Sequence, residues 1–220
     1  MNQVQLPVRL RMRYMRHRTP RYICNRTRQM FFELKHADDP WLTPEAVRIL
    51  ASMLLPSDRG VEFGSGRSTL WFAERIDHLT SVEHDEQWYS VISENIKSRG
   101  LTNVDYTFAP PDQPEEKGDL SEYARTALAF ADESVNFALI DGFYREYTAK
   151  FMMPKIKPGG MLIIDNVNWF LPSLTHSPAS RTTASGPKGQ VWAEVAHGLA
   201  GWRAIWTSSG VWDTAIFVKP

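Results

Sequence analysis

Val61-Glu62-Phe63-Gly64-Ser65-Gly66-Arg67-Ser68-Thr69 is the stretch on which the fold turns. Arg59 to Phe63 reads as a short strand, Gly64-Ser65-Gly66 as a tight turn, and Ser68 to Ile76 as the helix that follows. Upstream, Thr43-Pro44-Glu45 has the form of a helix start, and Val47, Leu50, Ala51 and Leu54 continue the apolar stripe as far as Pro56. Downstream, strands are expected at Leu79–Glu83, Val104–Phe108, Val135–Ile140 and Met161–Ile164. Helices are expected at Asp85–Ser98, Leu120–Ala131, Tyr144–Ile156 and Val191–Leu199, the third closed by Lys157-Pro158-Gly159-Gly160. Trp202–Thr207 and Val211–Val218, separated by Ser208-Ser209-Gly210, read as a hairpin. This alternation predicts an α/β fold: a doubly wound, mostly parallel sheet of seven strands with an antiparallel C-terminal hairpin strand. Leu171 to Gly189 is long and polar for a connection inside such a domain, which makes it a lid or a disordered segment.

The composition of the 220 residues excludes several classes. At 43% hydrophobic and 23% charged residues the chain can close one sizeable core, and it contains no apolar run of the ~18 residues that a membrane-crossing helix needs. A single cysteine, Cys24, leaves neither a disulfide framework nor a cysteine zinc cluster, so a reducing, cytoplasmic setting is expected. The 25 basic and 25 acidic residues cancel formally but are unevenly placed. Eight arginines and Lys35 face only Glu33 within residues 1–35, a net +8 that leaves −8 for the remainder. We therefore divide the chain into a basic arm, residues 1–36, and an acidic domain, residues 37–220. The arm lacks the apolar core of a secretory signal and the serines of a transit peptide. Its arginines at 9, 11, 13, 16 and 18 alternate with apolar residues in a pattern that fits a strand and a helix about equally. A homo-oligomer contact or peripheral attachment to an anionic membrane would suit it.

The glycine turn also carries chemistry. Glycines between a strand and a helix admit a ligand close to the backbone, beside the N–H groups of the helix start. Glu83, in Ser81-Val82-Glu83-His84-Asp85, ends the next strand, where a carboxylate can accept both hydroxyls of a ribose. No third glycine stands in dinucleotide spacing, no Gly-Lys-Ser/Thr of a phosphate loop is present, and Glu62 puts negative charge where a pyrophosphate would lie. The pattern suits a nucleoside bearing an amino group and no phosphates, a description that S-adenosylmethionine meets.

On these residues the chain resembles the class I S-adenosylmethionine-dependent methyltransferases over roughly residues 43 to 218, and the resemblance implies their Rossmann-like sheet. It also implies a cofactor site formed by Glu62, Gly64, Ser65, Gly66, Ser68, Glu83, His84 and Asp141, with Asp141 beside the reacting centre. Ile140-Asp141-Gly142 followed by Ile164-Asp165-Asn166-Val167-Asn168-Trp169 is similar to the catechol and caffeoyl-CoA O-methyltransferases. That likeness implies a divalent cation, Mg²⁺ or Mn²⁺, on Asp141, Asp165 and Asn166, where it would activate a hydroxyl of a small-molecule acceptor. Arg145 and His176 complete the catalytic candidates, Arg145 as a grip on an anionic acceptor and His176 as a base. Trp169 is a candidate wall of the acceptor pocket.

Each of these residues has a plainer reading. Asp141 can cap the next helix, Asp165 and Asn166 can simply form a loop, His84 can flank the ribose without chemistry, and Arg145 can pair on an exposed helix face. Aminopropyl transfer is a related activity. A nucleic-acid-modifying enzyme using the arm as a clamp, and a partner subunit with a degenerate site, are the readings from other classes. The acidic domain and the absence of an Asn/Asp-Pro-Pro-Tyr/Phe motif argue against nucleic acid as a partner, and the intact acid and glycine set argues against degeneracy.

Overall fold

The computed structural model describes residues 19–220. The undecided strand-or-helix reading of Val8 to Arg18 lies outside them. The chain begins with α1 (Pro20–Lys35), capped by the Thr19 side chain, and continues with α2 (Pro44–Met53). The sheet is then built from β1 (Arg59–Phe63), α3 (Arg67–Ala73), β2 (His78–Glu83), α4 (Glu86–Ser98), β3 (Val104–Phe108), a short α5 (Glu122–Arg125), β4 (Val135–Ile140), α6 (Arg145–Met152) and β5 (Ile156–Asp165). Helix α7 (Gly189–Gly198) and the hairpin β6 (Arg203–Ser208) and β7 (Asp213–Val218) complete it.

Seven strands form one sheet in the order β3-β2-β1-β4-β5-β7-β6, parallel except for β7, which runs antiparallel to both of its neighbours. This is the expected fold class. Successive strand residues face opposite sides, so Ala138 and Ile140 enter one core with Val61, Phe63, Leu162 and Ile164. Phe137 and Leu139 enter the other with Leu50, Phe72, Met161 and Ile163. Register places Phe63 opposite both Val82 and Ile140, Ile140 opposite Ile164, and Asp165 opposite Thr214. The chain therefore leaves β1, β2, β4 and β5 side by side at one edge. From β1 the winding runs towards β2 on one side, and from β4 towards β5 on the other, which opens a crevice at that edge.

Several expected boundaries move, each for a local reason. The helix expected over Leu120–Ala131 is only α5 followed by a 3₁₀ turn at Thr126–Ala129. The helix expected as far as Ile156 stops at Met152, because Pro154 has no N–H to continue it. Lys157-Pro158-Gly159-Gly160 ends no loop of its own and belongs to β5: the Gly159 N–H donates to Lys219 O and the Lys219 N–H to Gly160 O, which ties the segment to the chain end. Thr43 does precede α2, but its hydroxyl pairs with Thr207 Oγ1 at 2.5 Å instead of capping. Residues 171–189 form an ordered loop. The buried Asp213 carboxylate takes hydrogen bonds from Thr175 Oγ1, Ser177 Oγ and Trp206 Nε1, while the Arg181 N–H donates to Asn168 O.

Candidate functional site

The β1–α3 turn is built around a buried carboxylate. Glu62 Oε2 accepts from Thr69 Oγ1 at 2.6 Å and from Ser81 Oγ at 2.7 Å, and the Gly66 N–H donates to Thr69 Oγ1 at 2.9 Å. Glu62 Oε1 is buried without a well-formed hydrogen bond. Burial pushes the Glu62 carboxyl up to about 7, against the lowering effect of Ser68, Thr69 and Ser81. The two glycines of the turn differ in kind. Gly64 has φ +93°, and a Cβ there would lie 2.5 Å from the Gly142 backbone nitrogen, so backbone conformation and close packing both require glycine. At Gly66 a Cβ would meet nothing nearer than 3.9 Å, from Ser68 Oγ and Trp88 Nε1. No contact inside the protein demands a glycine at that position.

Glu83, at the end of β2, is almost fully buried. Its Oε2 accepts from the Ser65 N–H at 2.8 Å and Ser65 Oγ at 2.7 Å, and its Oε1 from the N–H groups of His84 and Asp85 at 2.8 Å, with His84 Nδ1 at 2.9 Å. Burial acts to raise its pKa, but the bonds from His84, Asp85 and Ser65 outweigh it and hold the carboxyl below its usual range. Around the turn lie aromatic residues that the sequence reading missed. Trp88 Nε1 donates to Ser65 O at 2.6 Å, Trp41 stacks on Trp88 at 5.9 Å, and Tyr106 Oη lies 2.6 Å from Ser65 Oγ. His84 stacks on Phe143 at 5.7 Å and meets Tyr123 edge-on. Tyr123 is wholly buried, and its hydroxyl makes no hydrogen bond of good geometry among the described residues. Nothing in their sequence spacing separates these aromatics from core residues.

At the ends of β4 and β5 the expected set of Asp141, Asp165 and Asn166 converges, and the guanidinium of Arg145 joins it. The five N–H groups of Arg145 meet five oxygens: Nε donates to Gly142 O at 2.9 Å, Nη1 to Asp165 O at 2.6 Å and Asn166 Oδ1 at 3.2 Å, and Nη2 to Asp141 O at 2.6 Å and Asp141 Oδ1 at 2.9 Å. The Asp165 carboxylate turns the other way, onto Thr214 Oγ1 at 2.5 Å. Burial raises both acids: Asp165 stands well above the usual range because of burial and the Asp141 charge, and Asp141 is raised by burial against the opposing Arg145. Tyr144 and Asn166 hold left-handed backbone at φ +46° and +52°, a strained conformation of the kind that gathers where geometry is functionally constrained.

This arrangement bears on two expectations. Arg145 occupies oxygens that the expected divalent cation would use. Asp141 Oδ1 and Asn166 Oδ1 accept from the guanidinium and Asp165 Oδ1 from Thr214, and among the described residues no group of three His, Cys, Asp or Glu side chains is placed to hold a metal. Arg145, expected to grip an acceptor, directs all five of its donors to oxygens of the chain. His176 is exposed on the outer side of its loop, since Thr175 and Ser177 on either side of it point inward to Asp213, and it makes no hydrogen bond to the Asp141 cluster. Trp169 is 40% exposed just beyond Asn166 and meets Phe170 edge-on at 6.4 Å.

No protein-family model matches the sequence, and no curated relative does. The fold does have solved counterparts. A Staphylococcus aureus protein provisionally assigned as a caffeoyl-CoA O-methyltransferase superposes with a TM-score of 0.55 at 14% identity, over 97% of this chain and 98% of that one. A methyltransferase-like protein from Silicibacter pomeroyi gives 0.55 at 18% identity over 83% and 89%, and a methyltransferase from Geobacter sulfurreducens gives 0.53 at 11% over the whole of both chains. The chain has the methyltransferase fold. At these identities the likeness concerns architecture, and the β1–α3 turn and the Asp141 cluster lie at the edge of the sheet where such folds hold their ligands.

Proposed function

We propose that this protein is an S-adenosylmethionine-dependent methyltransferase that methylates a hydroxyl of a small molecule without a divalent cation. The observation that carries the reading is the pair of buried acids, Glu62 and Glu83, beside a turn whose Gly66 leaves open space where a side chain would start. The cofactor, when bound, supplies an electrophilic methyl group. Glu62, whose Oε1 holds no well-formed hydrogen bond, is suited to its ammonium group, and Gly66 leaves room for it at the backbone. Glu83 serves the ribose hydroxyls once Ser65 Oγ turns from it towards Tyr106 Oη, which it already meets. Asp141 Oδ1 is held by Arg145 while Oδ2 takes no hydrogen bond from the described residues, so Oδ2 is the atom that aligns an acceptor hydroxyl by accepting its proton or hydrogen bond. The O-methyltransferase assignment of the Staphylococcus aureus counterpart supports oxygen as the acceptor atom.

Thermal unfolding tests the reading directly. S-adenosylmethionine or S-adenosylhomocysteine at about 100 times Kd should stabilise the native state by about 2.7 kcal/mol and raise Tm by roughly 5–10 °C, with no shift from NAD or ATP. An unmoved Tm with millimolar S-adenosylhomocysteine would sink it.

A pH dependence follows from Glu62. Its folded pKa of about 7 lies above the ordinary 4.5, so the free protein binds an extra proton between those values. The associated stability, roughly 3 kcal/mol, is full below about pH 4.5 and lost as pH rises through about 7. Binding of the cofactor's ammonium needs the ionised form and should tighten by up to about tenfold per pH unit as pH climbs towards 7. Calorimetry from pH 5.5 to 8 checks this, and Glu62→Gln should flatten the curve. A wild-type affinity that stays level across this range would mean that Glu62 does not serve the ammonium.

A further inference from the structure

Helix α1 has two unlike faces. Inward, Tyr22 and Gln29 are buried, Asn25 packs on Gly210, and Arg26 lies over the Trp212 ring at 5.8 Å while pairing with Glu33. Outward, Ile23, Thr27, Met30, Phe31 and Leu34 follow one another at helical spacing along a single stripe. Ile23 and Met30 are exposed, and Phe31 and Leu34 more than 60% so. Arg21, Arg28 and Lys35, seven residues apart, form an exposed cationic flank along one side of that stripe. Scattered exposed apolar residues are ordinary, whereas four large ones in line on one helix, edged by basic residues, are not.

Position adds to composition. The tip of the β6–β7 hairpin, on which α1 packs, stands at the sheet edge where Asp165 pairs with Thr214, the same edge as the Asp141 cluster. Leu174, 90% exposed, sits between Ser173 and Thr175, and Thr175 Oγ1 donates to Asp213 beside the tip of that hairpin. Helix α1 and the loop that carries Leu174 thus both adjoin the hairpin tip, at the sheet edge of the Asp141 cluster.

We propose that α1, with Leu174, is a docking surface for an anionic lipid bilayer, Phe31, Leu34, Met30 and Ile23 entering the interface while Arg21, Arg28 and Lys35 meet the phosphates. The charge argument selects this occupant. Residues 1–35 carry a net +8, so two copies joined stripe to stripe would bring like charges together, while an anionic bilayer offers phosphate and hydrocarbon at the same depth. A nucleic-acid strand would use the arginines and leave the Phe31–Leu34 stripe without a partner. This inference rests on the surface alone and does not depend on the transfer chemistry.

The test is co-sedimentation of the full chain with vesicles of phosphatidylcholine containing about one-third phosphatidylglycerol, compared with phosphatidylcholine alone. Partition should favour the anionic vesicles by about tenfold or more at low salt and loosen in high salt. The double variant Phe31→Glu/Leu34→Glu should lose at least about tenfold in partition with an unchanged Tm, because both side chains are exposed, and Leu174→Glu should weaken it further. The proposal is overturned if the full chain does not sediment, or if the double variant sediments like the wild type. Two other results would also overturn it: a lipid-free dimer, seen by light scattering, that the double variant dissolves, and binding to single-stranded RNA that outcompetes the vesicles.

Discussion

Replacing Arg145 by methionine is expected to lower Tm by roughly 6–12 °C and to reduce methyl transfer by about a thousandfold or more. The guanidinium joins the ends of β4 and β5, donating to oxygens of Asp141, Gly142, Asp165 and Asn166. Without it, Asp141 and Asp165, both already raised by burial, lose their shared counter-charge, and at least one must take up a proton. Arg145→Lys keeps the charge but loses the planar fork, so it should recover part of the stability while leaving the rate low. A merely structural role would return rate and stability together. The same substitution separates a resident cation from a metal. The wild type should turn over unchanged in excess chelator and show no bound Mn²⁺ by electron paramagnetic resonance. Arg145→Ala frees Asp141 Oδ1 and Asn166 Oδ1 and should acquire a Mn²⁺ signal. Wild-type turnover that stops in chelator and returns with Mg²⁺ would show that the guanidinium does not take the cation's place.

The metal expectation and the Arg145 arrangement come from the same residues, which shows what sequence could and could not convey. Strands and glycine turns are written in nearest-neighbour terms, apolar runs bounded by Gly and Asx residues, so β1, β3 and β4 and the placing of Glu62, Glu83, Asp141, Asp165 and Asn166 at one sheet edge were legible. Which partner each acid takes is a long-range matter. Asp165 turns to Thr214, 49 residues away, and Glu83 to Ser65, 18 residues before it. No periodicity reports such choices. Sequence reads Arg145 as a surface or substrate group because its spacing from Asp141 is that of any helical pair, whereas the pairing of β4 with β5, Ile140 opposite Ile164, puts both strand ends within one guanidinium's span. The anchoring of the 171–189 loop was not legible for a related reason. It comes largely from Asp213, a buried carboxylate distant in sequence.

The two glycines of the β1–α3 turn should respond in opposite ways to the same added methyl group. Gly64→Ala places a Cβ 2.5 Å from the Gly142 backbone at φ +93°, so neither rotation nor a flexible neighbour can relieve the contact. It should cost about 3 kcal/mol or more, a fall in Tm of roughly 6–12 °C, with ligand binding lost along with the fold. Gly66→Ala meets only ordinary contacts at 3.9 Å, so stability should stay within about 0.5 kcal/mol of the wild type. The methyl group nevertheless points into the space bounded by Ser68 and Trp88, where the backbone of the proposed site receives its ligand, and binding of S-adenosylhomocysteine should weaken by about a hundredfold or more. Differential scanning calorimetry and titration calorimetry on the two variants separate these terms. A Gly66→Ala protein that folds normally and binds S-adenosylhomocysteine as tightly as the wild type would remove the β1–α3 turn from the cofactor site. The buried acids Glu62 and Glu83 would then be structural, each explained by the hydroxyl and N–H donors it already holds.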